Sequence, residues 1–143
     1  MSQSLENWGD VSVGDKLPTV RRTVTQDVIN QYADASGDHN PLHIDPEFAK
    51  NTFYGQTIAH GLMTLAFVSQ MMTQWGWKGW SYGGETDFAF LSPVFPGDEV
   101  EVCAEVEAIE KRDTGIFARC KLNVTVGDKT ILGGTISRRL GDV

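Results

Sequence analysis

Three kinds of hydrophobic spacing divide the chain. From Asp98 to Arg112, the residues Val100, Val102, Ala104 and Val106 alternate with Glu99, Glu101, Cys103, Glu105 and Glu107, the two-residue period of a strand with one wet face. Two more β runs follow, Ile116 to Val126 and Thr130 to Leu140, joined at Gly127-Asp128, a tight hairpin signal. Further strands are expected at Thr86 to Phe90 and near Val20 to Val24. Helical spacing governs Thr25 to Tyr32, where Val28, Ile29 and Tyr32 recur, with Thr25 suited to the N-cap and Gly37 to the C-terminal stop. Asp45-Pro46-Glu47 reads as N-cap, first-turn proline and acidic first turn, opening a second short helix through about Lys50.

The third pattern is the block from Thr57 to Trp75, which carries Ile58, Leu62, Met63, Leu65, Ala66, Phe67, Val68, Met71 and Met72 on nearly every face. A helix apolar all round is expected to be buried all round. The block is too short and too often interrupted by polar residues to span a membrane, so the rest of the chain has to wrap it. An antiparallel β-sheet curled around one long central α-helix satisfies both patterns, which is an α+β domain with helices on one face of the sheet.

Length and charge narrow the function. The 143 residues are expected to form one domain over 1–143, and 41% hydrophobic with 22% charged residues is ordinary globular composition. A net charge of −7 with only 12 Lys and Arg counts against a nucleic-acid partner. The pairs Arg21-Arg22, Lys111-Arg112 and Arg138-Arg139 read as solvated edges, with one left as a candidate contact for an anionic cofactor phosphate. Cys103 and Cys120 have no metal-ligand or redox spacing and read as small buried hydrophobes in a reducing compartment. The start, MSQSLENWGD, lacks a basic segment followed by an apolar run, so a soluble cytoplasmic protein without membrane association is expected.

Chemistry concentrates in SGDHNPLHID, Ser36 to Asp45, a stretch too rich in turn residues to read as helix or strand. Taken alone, Gly37, Asp38, Asn40 and Pro41 make an ordinary loop. His43 changes the reading. Pro41 fixes its own φ and pushes Asn40 toward extended backbone, so the path from Asp38 to His43 is stiff enough to aim both side chains at one point. A carboxylate and an imidazole converging on one water form a general acid–base pair. Asn40 then holds the turn by bonding backbone groups.

The segment IAHGLM, Ile58 to Met63, stands at the head of the apolar block. It fits plain helix-start packing, with Gly61 small where a strand crosses. It also fits an oxyanion hole, because first-turn N–H groups lack partners and glycine admits a ligand oxygen. Beyond the block, Trp75, Trp77 and Trp80 lie among glycines and suit either rim packing or the lining of an acyl pocket.

The stretches YADASGDHNPLHIDPEFAK, IAHGLMTLAFVS and FLSPVFPGDEV together resemble the MaoC-like dehydratases, the (R)-specific enoyl-CoA hydratases of hotdog fold, from Val13 to Arg139. The resemblance implies that Asp38 and His43 are the catalytic pair, that the Gly61 amide is an oxyanion donor, and that Ser69 helps order the catalytic water. His60 belongs to the same pattern and is read as structural support of the helix start, beside Asn40 and Pro41. The implied reaction is reversible hydration of a trans-2-enoyl thioester to the (R)-3-hydroxyacyl thioester, with no metal or redox cofactor and with coenzyme A or acyl carrier protein as the substrate's carrier. Three alternatives stay open: an acyl-carrier-protein dehydratase subunit of type II fatty acid synthesis, a hotdog thioesterase, and a non-catalytic acyl-thioester-binding subunit. Family members pair edge to edge, so a homodimer, a higher oligomer of dimers, or a heterodimer with a second hotdog chain is expected.

Overall fold

The structure is a computed structural model that describes residues 10–141. The opening stretch read for a leader lies, apart from Asp10, outside the described residues. In chain order the elements are β1 (Val20–Thr23), α1 (Gln26–Ser36), α2 (Pro41–Ile44), α3 (Pro46–Ala49), α4 (Gly61–Ser81), β2 (Glu85–Phe90), β3 (Glu99–Arg112), β4 (Gly115–Val126) and β5 (Lys129–Gly141). The described strands form one five-stranded antiparallel sheet in the order β1-β3-β4-β5-β2.

The alternation read in β3 holds: Val100, Val102 and Val106 are fully buried, whereas Glu99, Glu105 and Glu107 face solvent. Each such buried side chain contributes about 1.5–3 kcal/mol relative to leaving it in water. On the covered face they meet Val68, Met71 and Met72 of α4 and Ile136 of β5 in one core cluster. The caps also form as expected. Thr25 Oγ1 accepts from the Val28 N–H at 3.1 Å, Asp45 Oδ1 accepts from the Glu47 N–H at 3.0 Å, and Gly37 closes α1 in the left-handed region at φ 80°.

The structure corrects three expectations. The Ser36–Asp45 stretch is not all loop, since Pro41–Ile44 makes a helical turn capped by Asn40, whose Oδ1 accepts from the Leu42 N–H at 3.0 Å. Residues 57–60 do not begin the long helix. They run extended because Ile58 N–H donates to the Leu42 carbonyl at 3.3 Å and Ala59 N–H to the Val94 carbonyl at 2.8 Å, so long-range bonds override local helical spacing. Helix α4 then runs past Trp75 to Ser81 with a kink at Gly76, whose ψ is 71°. Finally, α4 is not buried all round: Leu62 is 59% and Trp77 53% exposed, because the sheet of one chain covers only one side of it. Among the described residues no helix is long and apolar enough to cross a membrane.

Candidate active site

Local bonds aim the site. The Ser36 hydroxyl accepts from the Asp38 N–H at 3.1 Å and Asp38 Oδ1 accepts from the Asn40 N–H at 3.2 Å, which folds the chain tightly before Pro41. One helical turn later His43 Nδ1 lies 2.8 Å from the Ile58 carbonyl oxygen. A carbonyl only accepts, so Nδ1 carries the hydrogen, and among the described residues no hydrogen-bond partner takes Nε2. Gln26 of α1 secures this arrangement from behind. Its Nε2 donates to the His43 carbonyl at 2.8 Å, and its Oε1 accepts from the Thr57 hydroxyl at 2.6 Å, tying α1, α2 and the segment before α4 together.

His60 completes the cluster. It is 2% exposed, its Nε2 donates to the Asp38 carbonyl at 2.9 Å, and its ring stacks on His43 with centroids 3.9 Å apart. Burial holds the His60 imidazole below its ordinary range, against the hydrogen bond to the Asp38 carbonyl that raises it, so it is neutral at pH 7. Its Nδ1 is buried without a hydrogen-bond partner. One ligating atom each from Asp38, His43 and His60 lie within 4.8 Å of one another. A separation of that size between the acid and the imidazole is within reach of one bridging water. This trio is also the set among the described residues that could hold a metal ion, with one nitrogen of each histidine already engaged by a backbone carbonyl. The remaining histidine, His39, turns outward to Asp34 at 3.0 Å.

Gly61 opens α4 beside this spot. The carbonyl of His60 accepts from Met63 and Thr64, and among the described residues no backbone acceptor takes the Gly61 N–H. Fixed N–H groups at the leading end of a helix hold partial positive charge. A Cβ placed on Gly61 would lie 2.7 Å from Cε1 of Phe90, so any larger residue there has to displace that ring.

His43 and Gly61 share a cavity of about 420 Å³ with Tyr54, Ile58, Phe90 and Leu91 among its walls. A larger cavity of about 590 Å³ lies between residues 13–19 and the wet face of β3, remote from the acid–base pair. The wall residues Tyr54, Phe90 and Leu91 were not singled out from the sequence. Period-two spacing puts Phe90 on the same strand face as Phe88, but only the tertiary fold brings it over Gly61.

Four expected site residues stand away from this cavity, and Asp38, although close to His43, is not among the residues that line it. Ser69 lies two turns into α4, about 12 Å along the axis from Gly61, and its hydroxyl accepts from Trp80 Nε1 at 3.0 Å. Trp75, Trp77 and Trp80 stand on the far half of α4. Trp75 packs under the Arg138 guanidinium at 4.2 Å, Trp77 is 53% exposed, and Trp80 serves Ser69. Helix rise alone separates them from the site within one chain.

Residues 10–128 match the family described as MaoC like domain. A 3-hydroxyacyl-thioester dehydratase Z from Mycobacterium tuberculosis is 39% identical over 97 residues, covering 65% of this chain and 64% of that relative, so the match spans just under two thirds of its length. A 3-hydroxybutyryl-CoA dehydratase from Methylorubrum extorquens is 36% identical over 128 residues, covering 87% of this chain and 78% of the relative. Among solved structures, the (R)-hydratase from A. caviae involved in PHA biosynthesis superposes with a TM-score of 0.76 at 26% identity, covering 90% of this chain and 97% of that one.

Proposed function

The chain belongs to the MaoC like domain family, with the hotdog fold of its structural neighbours, and from that premise we propose that it interconverts trans-2-enoyl-CoA and (R)-3-hydroxyacyl-CoA thioesters. The observation that carries this reading is the closeness of Asp38 and His43 at the head of α4, where no acceptor among the described residues takes the Gly61 N–H. One water sits between the Asp38 carboxylate and His43 Nε2. Its oxygen bonds to C3 of the enoyl group while the C2–C3 electron pair shifts toward the thioester carbonyl, and the oxygen charge that develops is held by the Gly61 N–H. The acid–base pair takes the water's proton and returns one to C2. Hydrogen and hydroxyl are added with no change in oxidation level, so the chemistry asks for neither a redox group nor a metal. Positioned acid–base groups supply about 10²–10⁴-fold in rate and an oxyanion donor about 3–4 kcal/mol, so neither suffices alone.

The proposed setting is cytoplasmic, as a dimer. Among the described residues β2 bonds only β5, leaving its other edge open, and the exposed Leu62 and Trp77 of α4 are apolar surface that a second copy or a second hotdog chain would cover. The test is to give the purified chain crotonyl-CoA, follow loss of the conjugated enoyl absorbance, and resolve the product by chirality, with crotonyl-acyl carrier protein in parallel. Formation of (R)-3-hydroxybutyryl-CoA supports the proposal. Free thiol release points to a thioesterase, faster turnover of the carrier-protein substrate to the fatty-acid-synthesis reading, and no turnover to a binding subunit.

A further inference from the structure

We propose that Phe90 is a specificity-determining residue: its ring walls the space beside the Gly61 amide and excludes enoyl thioesters that carry a substituent on C2. The inference rests on the hydratase reading for which carbon reacts, but its geometry stands apart from turnover. In a helix both the N–H and the Cα–Cβ directions lean toward the leading end. Phe90 Cε1, Cζ and Cδ1 lie 2.7, 2.8 and 3.2 Å from the position a Gly61 Cβ would take. The ring therefore flanks the approach to the Gly61 N–H. A carbonyl oxygen bonded to that N–H at about 2.9 Å brings C2 within about 2.4 Å of the oxygen through two bonds. A methyl on C2 would then need the volume the ring fills.

The strand that carries Phe90 is fixed by its surroundings, and the ring leans on Phe88. Phe90 is the last residue of β2, paired with Leu132 of β5, and the next residue, Leu91, donates its N–H to the Ile131 carbonyl at 2.8 Å. Phe88 meets the ring edge-on at a centroid distance of 5.1 Å. Its backbone is fixed on both sides, while the side chain is 53% exposed, so truncation removes a cavity wall without opening the core.

The test compares wild type, Phe90→Ala and Phe90→Tyr. Saturated butyryl-CoA and 2-methylbutyryl-CoA are titrated by calorimetry, and crotonyl-CoA and 2-methylcrotonyl-CoA are followed by absorbance. One methyl group in an apolar pocket is worth roughly 10–200-fold in discrimination. Phe90→Ala is expected to raise the branched-to-unbranched ratio of both affinity and kcat/KM at least about tenfold, with Phe90→Tyr keeping the wild-type ratio. An unchanged affinity ratio in folded Phe90→Ala, or no binding of either thioester to wild type, overturns the proposal. Failure of the hydratase reading looks different: the affinity ratio shifts as stated while no variant, wild type included, consumes crotonyl-CoA.

Discussion

Replacing Gly61 by alanine separates the amide's chemical role from its structural one. The new methyl would stand 2.7 Å from Phe90 Cε1 and 2.8 Å from Cζ, whereas carbon atoms settle at about 3.5–4.0 Å. The ring must retreat by about 1 Å. It is 53% exposed and has solvent to move into, so the fold survives. Alanine also forms helix more readily than glycine by up to about 1 kcal/mol, which offsets much of the lost ring contact. The oxygen site does not survive. The methyl and the displaced ring crowd the approach to the N–H, and loss of one oxyanion donor costs about 10²–10³ in kcat. Circular dichroism melting and initial rates on crotonyl-CoA read the two effects separately. The expected outcome is a Tm within a few degrees of wild type with kcat down at least about 100-fold. Wild-type kcat at unchanged Tm would remove Gly61 from the mechanism, and a collapsed Tm would show that the ring cannot yield.

The buried His60 makes stability depend on pH. Its folded pKa lies below the unfolded value of about 6.5 because burial disfavours the charge, so the unfolded chain binds the proton first as pH falls, and stability drops from near neutrality down through the folded value. The Tm of His60→Phe is expected to fall less steeply than that of wild type between pH 7 and 5, and parallel curves would refute the assignment. Gly79 of α4 is pressed against β5, where a Cβ would stand 1.9 Å from the Arg139 carbonyl oxygen. Gly79→Ala should therefore cost about 1–3 kcal/mol in urea unfolding despite its better helix propensity. Burial pushes the Cys120 thiol up to about 12, so it should resist alkylation at pH 8 until the protein is unfolded, as peptide mapping would show.

Signals confined to a few residues were legible in the sequence, because the groups that satisfy them are close along the chain. Thr25 caps α1 through Val28, Asp45 caps α3 through Glu47, and the valines of β3 alternate because one sheet face is wet. The turn between Asp38 and His43 belongs here too, since its bonds to Ser36 and Asn40 are local, whereas the His43 ring is oriented by the distant Ile58 carbonyl. What escaped depends on distant partners. Residues 57–60 are extended by bonds to Leu42 and Val94, and α4 continues beyond Trp75 where Arg138 stacks on that ring and Gly79 meets the β5 backbone. Gln26 could be read only as a surface residue of α1 until Thr57 and His43 came to it. Likewise the tryptophans were plausible pocket walls by composition, but the cavity is walled by Tyr54, Phe90 and Leu91, which the fold collects from separate segments.

The central claim is that Asp38 and His43 act together on one water. Asp38 is exposed and His43 only half-buried, so Asp38→Asn, His43→Ala and the double variant should all fold, as their melting curves would show. Crotonyl-CoA hydration measured on the three is the most direct test. Each single variant is expected to lose about 10²–10⁴ in kcat, with the double variant hardly worse than the poorer single, because the two groups work as a unit. Wild-type-like turnover in either folded single variant, or losses that multiply in the double, would contradict the account.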